Sequence, residues 1–171
     1  LQCLVNKLSL DKINSNSPYE VFPSERFRGY LFVTNYEVQY SIDFIEDDLL
    51  TQSESSQFII QNINNSASPR DHFVKDTIMS IIEEFFQKNQ STLLYICDSS
   101  DGKQSMRSRL FNYWFEGYKE KDKYEIMSSN VVDAEGTPTY VSIIFRKDNP
   151  DAEIIKEEFT QTTLLLSTKP E

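Results

Sequence analysis

Histidine and tryptophan each occur once in this 171-residue chain, cysteine twice and glycine four times. Each scarcity removes a class of chemistry. A lone His72 excludes any site that needs two imidazoles, including zinc bound through an HExxH helix. Two cysteines, Cys3 and Cys97, supply neither a disulfide framework nor a zinc cluster, which fits a reducing, cytoplasmic setting. Cys97 ends an apolar run and reads as a buried thiol. A nucleophile–base pair between Cys97 and His72 would require spatial coincidence, because no local motif supports one. No apolar run approaches the roughly 18 residues of a membrane span. The opening LQCLVNKLSL has no compact apolar stretch ending in small residues, so it does not read as a signal peptide. The glycine-framed motifs of hydrolases, dinucleotide-binding folds and kinases are also missing.

What is present is a folded, aromatic-rich, acidic domain. Twelve Phe and nine Tyr offset a modest apolar content of 39%, because each aromatic side chain buries a large area. The length matches one domain with a core large enough to need no covalent staple. Formal net charge is −10, spread over both halves of the chain. Duplex nucleic acid and anionic membranes would be repelled, whereas a neutral or basic protein partner, or a second copy, would be tolerated. Solubility alone also accounts for such a charge.

Element signals are clear after residue 28. Residues 1–28 form an N-terminal segment of uncertain structure, and residues 29–171 read as a single α+β domain. YLFVTNYEVQYSIDFI alternates apolar and polar positions. Val38, Tyr40, Ile42 and Phe44 share one face, Gln39, Ser41 and Asp43 the other, and two strands meet near Asn35-Tyr36. QFIIQNI adds a strand after the polar connection EDDLLTQSESS. In SASPRDHFVKDTIMSIIEEFFQKNQ, Ser68 can cap a helix, Pro69 can open it, and Asp71 suits the positive end of its dipole. Val74, Ile78, Ile81 and Phe85 form its buried stripe, opposite Asp76, Glu83 and Gln87. TLLYIC is continuously apolar, as a central strand covered on both faces should be. A helix over 102–119 follows. YEIMSSNVV and TPTYVSIIFRK flank a hairpin loop at DAEG, with Pro138 at a strand start. Asn149 and Pro150 open a last helix, whose three leucines, Leu164 to Leu166, cannot share one stripe and would pack irregularly or meet another subunit. The order β-β-β-α-β-α-β-β-α implies an α+β fold (mixed α/β also fits) with one sheet of about six strands and helices packed on it.

The junction YICDSSDGKQSMRSRLFNYWF carries the candidate site. Asp101 and Gln104 match a capping box, and the helix presents Met106, Leu110, Phe111, Tyr113, Trp114 and Phe115 over a broad apolar arc. Arg107 falls within that arc and needs a carboxylate, an aromatic face or an anion. Two readings stay open. Arg107 ties the helix to Asp98 or Asp101; or Gly102, Lys103, Arg107 and Arg109, with no acid between 102 and 115, grip a small anionic ligand at the helix start. A magnesium site at Asp98 and Asp101 is a further alternative. No cofactor is implied. The Trp and Tyr residues of this helix read mostly as core, with Trp114 a structural or anion-site residue of the junction; surplus aromatics would alternatively form a partner surface.

This junction, FVTNYEVQYSIDF upstream of it and VSIIFRKDNP downstream resemble a family of small bacterial proteins with no established activity. The likeness spans most of residues 30–160. It implies a bacterial, intracellular, single-domain protein and carries over no catalytic residue. The expectation is a non-enzymatic binding or interaction module with an acidic surface. The alternative is an enzyme or sensor of a phosphorylated small molecule.

Overall fold

A computed structural model describes residues 6–25, 29–67, 69–97, 111–132 and 135–167, with the backbone alone at Cys97. Among these residues the fold is mixed α+β, with one seven-stranded sheet and four helices. In chain order these are α1 (Leu10–Asn16), β1 (Phe22–Pro23), β2 (Tyr30–Val33), β3 (Gln39–Glu46), β4 (Ser55–Asn62), α2 (His72–Lys88), β5 (Thr92–Cys97), α3 (helical residues 111–116), β6 (Tyr124–Val132), β7 (Pro138–Arg146) and α4 (Ala152–Ser167). The sheet runs β1-β2-β3-β4-β5-β7-β6. It has one strand more than expected, because the N-terminal segment supplies α1 and β1. The centre falls on β4, and β5 is the next strand along, parallel to β4 and antiparallel to β7.

By contacts the chain divides into two compact units. The N-terminal unit comprises Leu4–Ile45 and Phe58–Asn89. Its helix α2 buries Val74, Ile78, Ile81 and Phe85, the stripe its 3.6-residue periodicity dictates, and also Met79, Ile82 and Phe86. The helix begins later than Ser68 and Pro69 suggest. Asp71 is its N-cap, accepting the Phe73 N–H at 3.0 Å, and the same carboxylate accepts the Tyr19 hydroxyl at 2.6 Å. A carboxylate with two donors fixes the first turn more firmly than a proline can. Aromatic stacking continues inward, Tyr19 on Phe32 and Phe32 on Tyr40, and Phe44 meets both Phe58 and Phe85. The opposite face of β3 is less open than its alternation implies, since Ser41 is fully buried. Gly29 is required by close approach: a Cβ there would collide with the Ile42 carbonyl and the Asp43 carboxylate.

The C-terminal unit comprises Glu46–Gln57 and the chain from Gln90 onward. Its core joins Leu50, Leu94, Val131, Val141, Ile143, Phe145, Ile155 and Phe159. The connection after β3 is therefore not merely polar, since Leu50 anchors it. β6 and β7 form the expected hairpin, with Val132 opposite Pro138, and Pro138 stands at the first position of its strand. Gly136 turns the loop with φ of 84°. Asn149 accepts the Asp151 N–H at 2.9 Å at the start of α4. That helix continues through Leu164, Leu165 and Leu166, so the irregular packing expected there is replaced by regular helix.

Candidate functional site

Asp98, Asp101, Gly102, Lys103, Arg107 and Arg109 lie outside the described residues, as do the capping box and both ligand readings built on them. Trp114 is described, half-buried in α3. What flanks the junction is a packed seam. Tyr95 of β5 stacks on Phe111 with ring centroids 4.3 Å apart and planes 20° from parallel. One turn on, Phe115 meets Tyr124 edge-on at 5.5 Å. The pair at i and i+4 is the face α3 turns to the sheet. Tyr113 is 67% exposed, so it leaves the apolar arc that the sequence assigns to it.

Two carboxylates that sequence reasoning missed organise the segment between β3 and β4. Asp47 accepts the N–H groups of Leu49 (2.9 Å) and Leu50 (3.0 Å) and the Ser55 hydroxyl (2.8 Å). Glu158 of α4, buried, takes the next two amides, Thr51 and Gln52, the latter at 3.0 Å through Oε2. Four consecutive backbone donors are thus satisfied by two anions, as in the concave amide nests that bind ligand anions elsewhere. Here the anion belongs to the protein, and its lone pairs are engaged in holding the loop. Asp47, placed two residues before its first donor, carries an Asx-turn signal legible in sequence. Glu158 carries none.

The N-terminal unit uses the same device. Buried Glu84 accepts the Ser9 N–H at 3.1 Å just ahead of α1, and Asn14 closes a double bond with the Val21 backbone, at 2.7 and 2.8 Å. Burial first, then the hydrogen bond to Asp71, raises the Tyr19 phenol above its ordinary pKa. Burial does the same for Tyr30, whose oxygen accepts the Leu8 N–H. These groups fasten chain segments. His72 is exposed beside Phe73, and no triad of acidic, histidine or cysteine side chains suited to a metal occurs among the described residues. No helix among them is long and apolar enough to cross a membrane.

Apolar side chains also stand exposed on the outer face of α4. Ile154 and Leu166 are exposed, and Leu164 and Leu165 are 65% and 74% exposed. On a helical wheel Ile154, Gln161 and Leu165 fall within about 40°, with Glu157 and Leu164 to one side. Glu153 and Glu157 are exposed on that side. Lys156 points elsewhere, to Glu125 of β6 at 3.1 Å as well as to Glu153 at 3.4 Å. The outcome is an apolar strip bordered by acids.

Residues 70–161, more than half of the chain, match a family of unknown function (DUF6169), and the chain belongs to it. The match takes in α2, β5 to β7, α3 and the first ten residues of α4, and leaves out the strands β1 to β4. No curated protein matches the chain.

Proposed function

We propose that this member of the family is a non-enzymatic interaction module, which docks a partner protein on the outer face of α4. The observation that carries the reading is the exposure of Ile154, Leu164 and Leu165 beside Glu153 and Glu157. Exposed apolar side chains gathered on one helical face mark a surface suited to a partner. The charge complements a cationic partner: the chain carries a net −10, and the strip is edged by carboxylates. The occupant is therefore a protein segment with an apolar stripe flanked by Lys and Arg, as in recognition of a helix in a groove.

The test compares the wild-type chain with a Leu164→Asp/Leu165→Asp variant. A partner is captured on each, purified, and titrated against both. The reading predicts a cationic partner, an affinity that falls with added salt, and loss of binding by at least about a hundredfold in the variant. A partner bound equally by both proteins would overturn it.

A second reading belongs to the junction at 98–110. Three positive charges with no intervening acid, at Lys103, Arg107 and Arg109, would suit a phosphorylated small molecule. A thermal shift with inorganic phosphate or nucleotides that disappears in Lys103→Ala would support it.

A further inference from the structure

The two edges of the sheet are built differently. The β1 edge is two residues long and contains Pro23, which donates no hydrogen bond. That edge is guarded in the way exposed strands usually are, by brevity and proline. The β6 edge is nine residues long, YEIMSSNVV. It has no proline and no lysine, and its one charge, Glu125, is drawn to Lys156. All nine residues pair with β7 on the inner side. In an antiparallel ladder every second residue of an edge strand turns its N–H and C=O outward. Among the described residues no loop or side chain takes a backbone group of 125–132; the nearest bond outside the ladders joins Lys147 to Lys123. Ser128 and Asn130 are exposed and leave space beside the strand.

We infer that β6 is the surface through which two copies of this chain pair, edge to edge and antiparallel, about a two-fold axis at Ser128. A strand edge accepts another strand, and the copy fits this one for a reason visible in its sequence. Tyr124 already donates its N–H to the Lys121 carbonyl, so the outward groups of 126, 128 and 130 set the register, and the partners' numbers sum to twice 128. Glu125 then faces Val131, Ile126 faces Asn130, Met127 faces Ser129, and Ser128 faces itself. The single carboxylate of the strand never meets its own copy, so the register places no like charges opposite each other. A closed isologous pair also occupies the outward groups of both copies at once, which an open, head-to-tail arrangement would not.

The self-opposed position provides the test. Sedimentation equilibrium of the full chain at concentrations up to about 100 µM should show a dimer. Raised salt should tighten it, because two chains of the same net charge repel at low ionic strength. Ser128→Ala, which loses the 2.8 Å contact between the Ser128 and Ser142 hydroxyls, should remain dimeric. Ser128→Lys and Ser128→Glu each place like charges across the axis and should weaken the dimer by at least about a hundredfold. An equimolar mixture of the Lys and Glu variants should restore pairing. Circular dichroism confirms that each variant is folded. A monomeric wild type overturns the inference, as does a dimer that survives both charged variants. A dimer lost only in Leu164→Asp/Leu165→Asp also overturns it, by moving self-association to α4.

Discussion

The two units of this chain share one device, a buried carboxylate that holds distant backbone amides, and differ in what they add to it. In the N-terminal unit the fastenings are buried or half-buried polar groups reaching across long stretches of sequence: Glu84 to Ser9, Asp71 to Tyr19, Asn89 to Asn6. An ion pair there joins neighbours on one helix, Lys75 and Asp76. The C-terminal unit has one apolar cluster under α4 and a set of solvent-facing ion pairs, including Arg146–Asp148 at 2.8 Å and Lys156–Glu125. The Arg146 guanidinium lowers the Asp148 carboxyl below the usual carboxylate range through their hydrogen bonds. Exposed pairs of this kind add little stability. The difference lies in how polar groups are used: the N-terminal unit relies on long-range polar bonds, while the C-terminal unit adds exposed ion pairs and an apolar strip along α4.

The largest expected effect lies in the C-terminal core. Phe159→Ala removes a fully buried ring and should cost about 3–5 kcal/mol, read from urea unfolding. The thermal midpoint should fall by roughly 10 °C. Next come the buried carboxylates. Glu158→Ala leaves the Thr51 and Gln52 amides without an acceptor and should cost about 2–3 kcal/mol. Amide exchange should quicken over 49–52 and not in α2. Glu84→Ala removes one backbone acceptor contact and should cost about half as much, with faster exchange around Ser9. A larger effect at Glu84 than at Glu158 would break the comparison, because the N-terminal unit would then depend on one contact.

The smallest effect is at Asp43, half-buried beside Gly29, where burial raises the carboxyl above its ordinary pKa. A raised folded-state pKa means that stability from this group is present below the unfolded value, near pH 4, and is lost as pH rises through the folded value. Asp43→Asn, neutral throughout, should therefore raise the melting midpoint at pH 7. The gain should shrink toward zero as the pH drops below about 4. A gain independent of pH would assign it to packing instead.

The elements from β2 to α4 were legible in the sequence because their signals are local. Alternation marks β3, a 3.6-residue stripe marks α2, and a proline after a glycine-containing loop marks the start of β7. The seven-residue α1 and two-residue β1 were not legible. Ile13 is the one buried side chain of α1, and two residues cannot display a period. The start of α2 was misplaced because Asp71 is claimed by Tyr19, more than fifty residues away. Glu84 and Glu158 escaped notice for the same reason: a carboxylate in an acidic chain reads as a solvated charge until a distant backbone amide is brought to it. Of the candidate site, Trp114 alone falls within the described residues. The α4 face was half legible, since three adjacent leucines that cannot share a stripe signal exposure.

Both proposals hold that this chain meets other chains through its surfaces, beginning with its own copy. Hydrogen exchange of the wild-type protein across a dilution series is the decisive measurement. With β6 paired, the outward amides of 126, 128 and 130 slow markedly as concentration rises, while those of α2 do not change. Exchange at β6 that is independent of concentration, at any salt, would contradict that pairing.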